Sequence, residues 1–474
     1  MSKTKVTIGL FGTGLEAYWD QFEGLLPRLN GYLDQIREKI THESIEIINA
    51  GIVDSISKAK MASALFKEKQ ADILFLYIST YTLSSVVLQV VNQIKVPLLL
   101  LNIQPAPAID YNQINSIGDR GKMTGEWLAN CQACSVPEIA SVFNRSGVEY
   151  EIITGHMQED YVWKELSEWV SASLVLKGMR SNTMGVLGHY YGGMLDVYTD
   201  ITKQSAIWGT HFELIEMCDL KQIRDEVTRS EVDIKIKEFH AVFDVAHDCE
   251  VVELERAART SVALDKLAEK WQFGSLAYYY EGTGNNDYLD MVTSVIAGNT
   301  LLTSKHIPVA GECEVKNAQA MKIMDLIGAG GSFSEFYAMD FTDNVVLLGH
   351  DGPAHPVIAE GLVKLVPLPV YHGKPGKGLS IQMSVRQGPV TLLSVAEGPG
   401  GVFLLVAQGK SVPGPILEIG NTNSRYKFPL PARDFINAWS KAGPAHHCAI
   451  GTGHVAPVIE KLAFLAGIPI VKIC

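Results

Sequence analysis

I-L-F-L-Y-I at Ile73–Ile78, L-S-S-V-V-L-Q-V-V-N-Q at Leu83–Gln93 and V-P-L-L-L-L-N-I at Val96–Ile103 read as strand, helix and strand. Continuous apolar runs of β-formers on either side of a helix indicate parallel strands covered on both faces. The same alternation extends outward. Upstream lie a strand at Val6–Phe11, a helix over Glu16–Ile40, a strand at Ile45–Ile48 and a helix over Lys58–Lys69. The first of these helices has Phe22, Leu25, Leu26, Leu29 and Leu33 on one face. Downstream come a helix near Thr124–Ala133, a strand at Val148–Ile153 and a helix over Trp163–Lys177. The polar, turn-like K-G-M-R-S-N that follows marks a boundary.

A second α/β segment begins at Met184–Leu187 and continues through Trp208–Ile215, Ile223–Val232 and the helix Glu250–Trp271. The last third changes character. Val345–Leu348, Leu362–Pro367, Leu379–Val385, Thr391–Glu397, Gly401–Gln408 and Ile416–Gly420 are short strands at turn-rich intervals, as in an antiparallel sheet or barrel. Two helices, Pro431–Lys441 and Val455–Ala466, and a strand at Pro469–Ile473 follow. The expected fold class is α/β: two Rossmann-like parallel-sheet domains, residues 1–180 and 181–325, then a β-rich domain over 326–474.

The chain has 474 residues, 47% of them hydrophobic and 19% charged, with a net charge of −12. Such a chain can bury a large core. The acidic balance argues against nucleic acid as a partner, because phosphate binding needs a basic field. The first residues, M-S-K-T-K-V-T-I-G-L, are too short in apolar character for a signal peptide. No apolar run approaches the ~18 residues of a membrane span. The seven cysteines are scattered, which suits the reducing cytoplasm. Cys131 and Cys134 form a lone C-x-x-C, read as two thiols on a helix face.

Chemistry concentrates between Gly311 and Pro356. G-E-C-E-V-K-N-A-Q-A-M-K-I-M, S-F-S-E-F-Y-A-M-D-F and V-V-L-L-G-H-D-G-P-A-H-P place Glu312, Glu335 and His350 at the edges of apolar segments. Near the C-terminus A-W-S-K-A-G-P-A-H-H ends in His446 and His447. Two carboxylates with imidazoles suit a borderline divalent cation such as Mn²⁺, and the carboxylates could also move protons. Each residue has a plainer reading. Glu312 could cap the following helix, His350 could sit in a solvated turn, and the histidine pair could favour a helix dipole. Gly9, Gly12 and Gly14 do not make G-x-G-x-x-G, so a nucleotide site is not expected; Tyr18 and Trp19 beside them could reach a ligand or simply pack. His189, in G-H-Y-Y-G-G, could contact a substrate. The H-E-x-x-H, P-loop and G-x-S-x-G motifs are absent.

These segments resemble the L-arabinose isomerase family. Its G-E-G-D-W-K is matched by Gly311–Lys316, its S-F-M-E-D-Y by Ser332–Tyr337, and its metal-binding histidine at a strand end by Leu348-Gly349-His350. Its E-A-W-x-x-A-G-G-A-H-H is similar to Asn437–His447, and its V-T-G-H to Ile153–His156. The spacings agree: 23 residues from Glu312 to Glu335, 15 on to His350 and 97 on to His447. The resemblance implies Mn²⁺, or another divalent cation, held by Glu312, Glu335, His350 and His447, with the two glutamates as catalytic acid and base. It implies a homo-oligomer, trimer or hexamer, in which a neighbour's N-terminal domain reaches the sugar.

The sugar-contacting shell departs from the family. Ser116–Gly121 has no histidine and offers Asp119 and Arg120 instead; Thr13–Tyr18 keeps a leucine and a tyrosine but loses the family's glutamine. Candidate substrate contacts are thus Tyr18, His189, Asp119, Arg120 and His446. The expected activity is aldose–ketose isomerisation of an open-chain sugar through an enediol, L-arabinose to L-ribulose or a relative, in a cytoplasmic enzyme. The alternatives are a sugar-binding protein on an isomerase fold, and an epimerase or lyase on a modified sugar.

Overall fold

The computed structural model describes residues 5–281, 286–369 and 376–474. Met1–Thr4, part of the stretch read for a leader, lie outside them. The chain divides into two compact units, Met1–Leu174 and Val175–Cys474. Among the described residues no helix is long and apolar enough to cross a membrane.

The first unit is a five-stranded parallel sheet. Its strands run in the order Ile45–Val53, Val6–Thr13, Ile73–Tyr77, Leu98–Gln104 and Tyr150–His156. Val6–Thr13 and Ile73–Tyr77 are buried at every position, as strands covered on both faces are. Phe11, Phe66, Leu76, Val87 and Phe143 belong to the core on one face of this sheet.

Three local readings need correction. The first helix is Leu25–Ile40, not Glu16–Ile40, because Gly24 takes a left-handed φ of +81° and restarts the chain there. Residues Leu25, Leu29, Leu33, Ile36 and Ile40 form its buried stripe. The helix expected at Thr124–Ala133 runs instead over Arg120–Leu128, started by Asp119, whose Oδ1 accepts the Lys122 amide at 2.8 Å. Cys131 and Cys134 are not helix-face thiols. They flank a tight turn before the helix Val136–Ser146 and are joined as a disulfide, with Cα atoms 5.9 Å apart.

The second unit combines a parallel sheet with a barrel. The sheet has the order Val309–Ala310, Ser275–Tyr279, Thr183–Gly188, His211–Ile215. The barrel runs Gly388–Gly398, His447–Thr452, Gly330–Asp340, Val345–His350, Thr422–Lys427, Gly401–Val412. The first and last of these strands pair along their full length, Gly388 opposite Ser411 through Gly398 opposite Gly401, which closes the ring. Ile470–Lys472 adds in parallel to Gly401–Val412. The fold is therefore α/β, with two parallel sheets followed by a sheet-rich, largely antiparallel C-terminal region.

One barrel strand was misplaced by the sequence reading. Ile416–Gly420 is not a strand; the strand is Thr422–Lys427, T-N-S-R-Y-K. It looks like a loop because it is polar, yet Thr422 to Tyr426 are all buried between two neighbours. Its polar groups are satisfied locally: Asn423 donates to Leu417 O at 2.8 Å and accepts the Leu417 amide at 3.0 Å.

The helix Val315–Ile327 packs against strands of both the parallel sheet and the barrel. Val315 through Asp325 are all buried, including Lys316, Asn317, Gln319 and Lys322. One hydrophobic core runs from Leu187, Leu276 and Val309 to Val390, Leu405 and Ile450. It fixes sheet and barrel as one body and so sets the geometry of whatever lies where they meet.

Candidate active site and metal centre

Glu312 sits at the C-terminal end of the parallel strand Val309–Ala310, in the turn before the buried helix. The turn is unusual. Glu312 and Cys313 both have left-handed backbones, φ +56° and +57°. Each costs about 1–2 kcal/mol for a residue other than glycine. The surroundings hold the turn: the Cys313 amide donates to Tyr278 O at 2.9 Å, and the Tyr191 amide donates to Glu312 O at 3.3 Å. Such strain persists where the structure over-determines it, commonly at functional sites. Glu312 is not a helix cap. Glu314 occupies the cap position, and its side chain makes no cap bond.

The barrel supplies the rest. Glu335 lies on Gly330–Asp340, directly opposite His447 on one neighbouring strand and Gly349 on the other. His350 ends its strand immediately after Gly349, and His447 begins its own. Gly349 has to be glycine: a Cβ there would lie 2.2 Å from Thr422 O and 2.7 Å from the Asn423 Cβ. The buried Phe333 ring packs on both histidines, with centroids 4.3 Å from His350 and 4.4 Å from His447.

Donor atoms of Glu312, His350 and His447 all lie within 4.8 Å of one another, and so do those of Glu335, His446 and His447. The two groups share His447, and together they contain every residue read from the sequence as a ligand. His447 Nε2 is 3.5 Å from Glu312 Oε2. Both atoms are buried and neither has a hydrogen-bond partner. Buried polar atoms are rarely left orphaned. Two of them facing each other, one on a carboxylate and one on an imidazole, are what a divalent cation would satisfy.

Burial favours the neutral form of two of these imidazoles, His350 and His447. Burial, with His447 beside it, pushes His350 down to about 3. Burial likewise pushes His447 down to about 3. The Gly352 amide donates to His350 Nδ1 at 3.0 Å, and Asp351 Oδ1 lies 3.3 Å from the same nitrogen.

Two functional neighbours escaped the sequence reading. Glu314, 1% exposed, holds His447 Nδ1 at 2.5 Å, and burial pushes its carboxyl up to about 8. Glu314 thus fixes the orientation of the His447 ring, the place an outer carboxyl takes beside a metal-binding histidine. Its signal was the G-E-C-E spacing itself, in which Glu314 stands at the family's aspartate. Asp196 binds His446, 2.6 Å from Oδ2 to Nδ1. It comes from the loop after Thr183–Gly188, and nothing in its local sequence marks it. Burial opposes charge on His446, but Glu312 and Asp196 outweigh it and raise the imidazole to about 9.

The other candidate contacts are spread out. His189 is an exposed residue of the same loop, edge-on to Tyr279 at 5.7 Å. Tyr18, Asp119 and Arg120 belong to the first unit. Tyr18 lies edge-on to Phe22 at 5.7 Å, and Trp19 donates to Asp54 Oδ2 at 2.8 Å. Beside Asp119 and Arg120 is a pocket of about 670 Å³ lined by Phe22, Arg28, Ile117, Gly121, Lys122 and Glu126.

Away from this cluster, His355 is buried with both ring nitrogens unpartnered, and burial pushes it from 6.5 down to about 4. The unfolded chain therefore binds more protons than the folded one between those values, and stability falls as pH drops through that window. His350 and His447 act in the same direction. The melting temperature of metal-free protein is expected to fall steadily from pH 6.5 to about 4, with a shallower slope in His355→Gln. A melting temperature independent of pH over that range would contradict this account.

No family model matches the chain. It is 24% identical over 391 residues to the L-arabinose isomerase of a Nocardioides species, covering 80% of this chain and 75% of that protein. It is 21% identical over 463 residues to that of Vibrio parahaemolyticus, covering 91% and 86%. It is also 21% identical over 330 residues to the sulfoquinovose isomerase of Alkalicoccus urumqiensis, covering 68% and 72%. The aligned region of the Vibrio relative takes in both compact units, so the similarity to L-arabinose isomerases, at low identity, extends over most of the chain.

Proposed function

We propose that the protein is a metal-dependent aldose–ketose isomerase acting on an open-chain sugar, L-arabinose or a related one. The observation that carries this reading is the facing pair of orphaned buried atoms, Glu312 Oε2 and His447 Nε2, with His350 beside them and a second carboxylate, Glu335, within reach. Glu312, His350 and His447 would hold the cation, with Glu335 completing the set. A divalent cation there would polarise the sugar carbonyl and the neighbouring hydroxyl. Isomerisation then requires one proton moved between C1 and C2 and another between O1 and O2. The two glutamates divide these transfers as general base and acid. Glu335 is one-third exposed and can meet a substrate; Glu312 is held by its strained turn. Phe333 walls off one side of both histidines.

The test is a panel of aldoses and ketoses, including L-arabinose and sulfoquinovose, incubated with the protein and Mn²⁺ and read for interconversion. Turnover abolished by chelation and restored by Mn²⁺ is the expected result. A panel without turnover, or turnover indifferent to chelation, would overturn the reading.

Glu314→Gln is expected to weaken Mn²⁺ binding by about 10–100-fold in calorimetry, as loss of an outer carboxylate does. Unchanged affinity would show that Glu314 does not orient His447. For substrate recognition we propose a cytoplasmic homo-oligomer in which Asp119 and Arg120 of one copy reach the sugar held by another. Arg120→Ala should then shift the preference among sugars and leave Mn²⁺ affinity unaltered. A fully active monomer by light scattering would rule this out. Asp119→Ala is the poorer probe, since it also removes a helix cap worth about 1 kcal/mol.

A further inference from the structure

His446 and His447 are adjacent at the start of a barrel strand, where successive side chains ordinarily point to opposite faces. Here both rings turn toward Glu312. Their centroids are 3.8 Å apart, and the Nε2 atoms lie 3.4 Å and 3.5 Å from Glu312 Oε2. His447 is wholly buried and cannot swing. His446 is 36% exposed, so something has to hold it.

Asp196 does so with a single oxygen. Its Oδ2 accepts the His446 backbone N–H at 3.0 Å and lies 2.6 Å from Nδ1 of the same residue. Two bonds to one residue fix both where its backbone lies and how its ring is turned. Asp196 is itself tied down, because its carbonyl accepts Lys316 Nζ at 2.5 Å, and Lys316 is 4% exposed on the buried helix. Either end of the loop is anchored too: the Tyr191 amide on Glu312 O at 3.3 Å, and the Thr199 hydroxyl on Glu397 Oε2 at 2.8 Å.

We propose that Asp196 is a positioning residue that holds the His446 imidazole with Nε2 turned to Glu312 and Glu335, outside the donor set of the cation. A carboxylate on Nδ1 keeps a proton on that nitrogen. The neighbours of Nε2 are also carboxylate oxygens, Glu312 at 3.4 Å and Glu335 at 4.0 Å. Nε2 is thereby turned to the space beside the two glutamates, placed to hydrogen-bond a substrate oxygen held there. His447 differs: its Nδ1 is taken by Glu314, and its Nε2 has no partner. The two acids assign the adjacent histidines to different tasks, one to substrate and one to the cation. The catalytic consequence rests on the isomerase reading; the positioning does not.

The test compares the full-length protein with Asp196→Ala and Asp196→Asn by three readouts. In ¹⁵N-histidine NMR of metal-free protein, the hydrogen-bonded His446 Nδ1–H signal, assigned with His446→Gln, should vanish in Asp196→Ala. It should persist in Asp196→Asn, whose amide oxygen can accept the same two bonds. Mn²⁺ affinity by calorimetry should stay within about threefold of wild type in both variants. On the sugar that the wild type turns over, kcat should fall about 10²-fold in the alanine variant and recover most of that loss in the asparagine variant, as expected for a misplaced group. An Nδ1–H signal unchanged in Asp196→Ala would overturn the proposal. So would a loss of Mn²⁺ affinity beyond tenfold, which would make His446 a ligand. If the wild type converts no sugar at all, the isomerase reading fails, and the NMR and calorimetry still decide the role of Asp196.

Discussion

Glu312→Gln is expected to lower kcat by about 10⁴-fold, the upper end of what one acid–base group contributes. The substitution keeps the shape of the side chain. It removes the ability to cycle a proton and replaces one carboxylate oxygen with an amide nitrogen, a donor with no lone pair to offer a cation. Its fold should be unchanged, because the turn is held by backbone bonds from Cys313 and Tyr191 and not by the carboxylate. Sugar interconversion and the circular dichroism melting curve, measured together, check both halves. Turnover within tenfold of wild type would return Glu312 to a structural role. Glu335→Gln should lose less, about 10²–10³-fold, if its work is proton transfer at a partly open position.

Removing His447 should have the largest effect on the cation. His447→Ala deletes the donor common to both candidate groups. The loss of Mn²⁺ affinity should exceed the roughly 10–100-fold expected for its outer partner, Glu314. It should also destabilise the protein. Glu314, 1% exposed, would lose the partner on its Oε2, at about 1–3 kcal/mol for an orphaned buried group, and an empty volume would remain beside Phe333. Calorimetric titration with Mn²⁺ and urea unfolding separate the two effects. Wild-type affinity in this variant would exclude His447 from the site and with it the proposed metal centre.

The sequence by itself determined the fold class. Ile73–Tyr77 and the first four residues of Leu98–Gln104 are runs of large apolar side chains because both faces of these strands are covered, and that condition shows directly in the sequence. It also picked out the residues that the fold brings near one another, since Glu312, Glu335, His350 and His447 sit in short recognisable motifs at strand ends and turns. Burial in the second unit was not legible. Lys316, Asn317, Gln319 and Lys322 look like the solvated side of a helix, and T-N-S-R-Y-K looks like a loop. Both are buried because structure packs on them from two sides, a condition that depends on distant segments and leaves no local periodicity.

The division of labour between His446 and His447 was likewise beyond a linear reading. Two identical neighbours in sequence are separated only by what reaches them through space. Glu314 arrives from the turn before the buried helix, 133 residues away, and Asp196 from a loop 250 residues away. Sequence could supply the imidazoles and the carboxylates. Only the tertiary structure decides which carboxylate meets which nitrogen, because a hydrogen bond of under 3 Å is set by the packing of sheet against barrel and not by the order of residues along the chain.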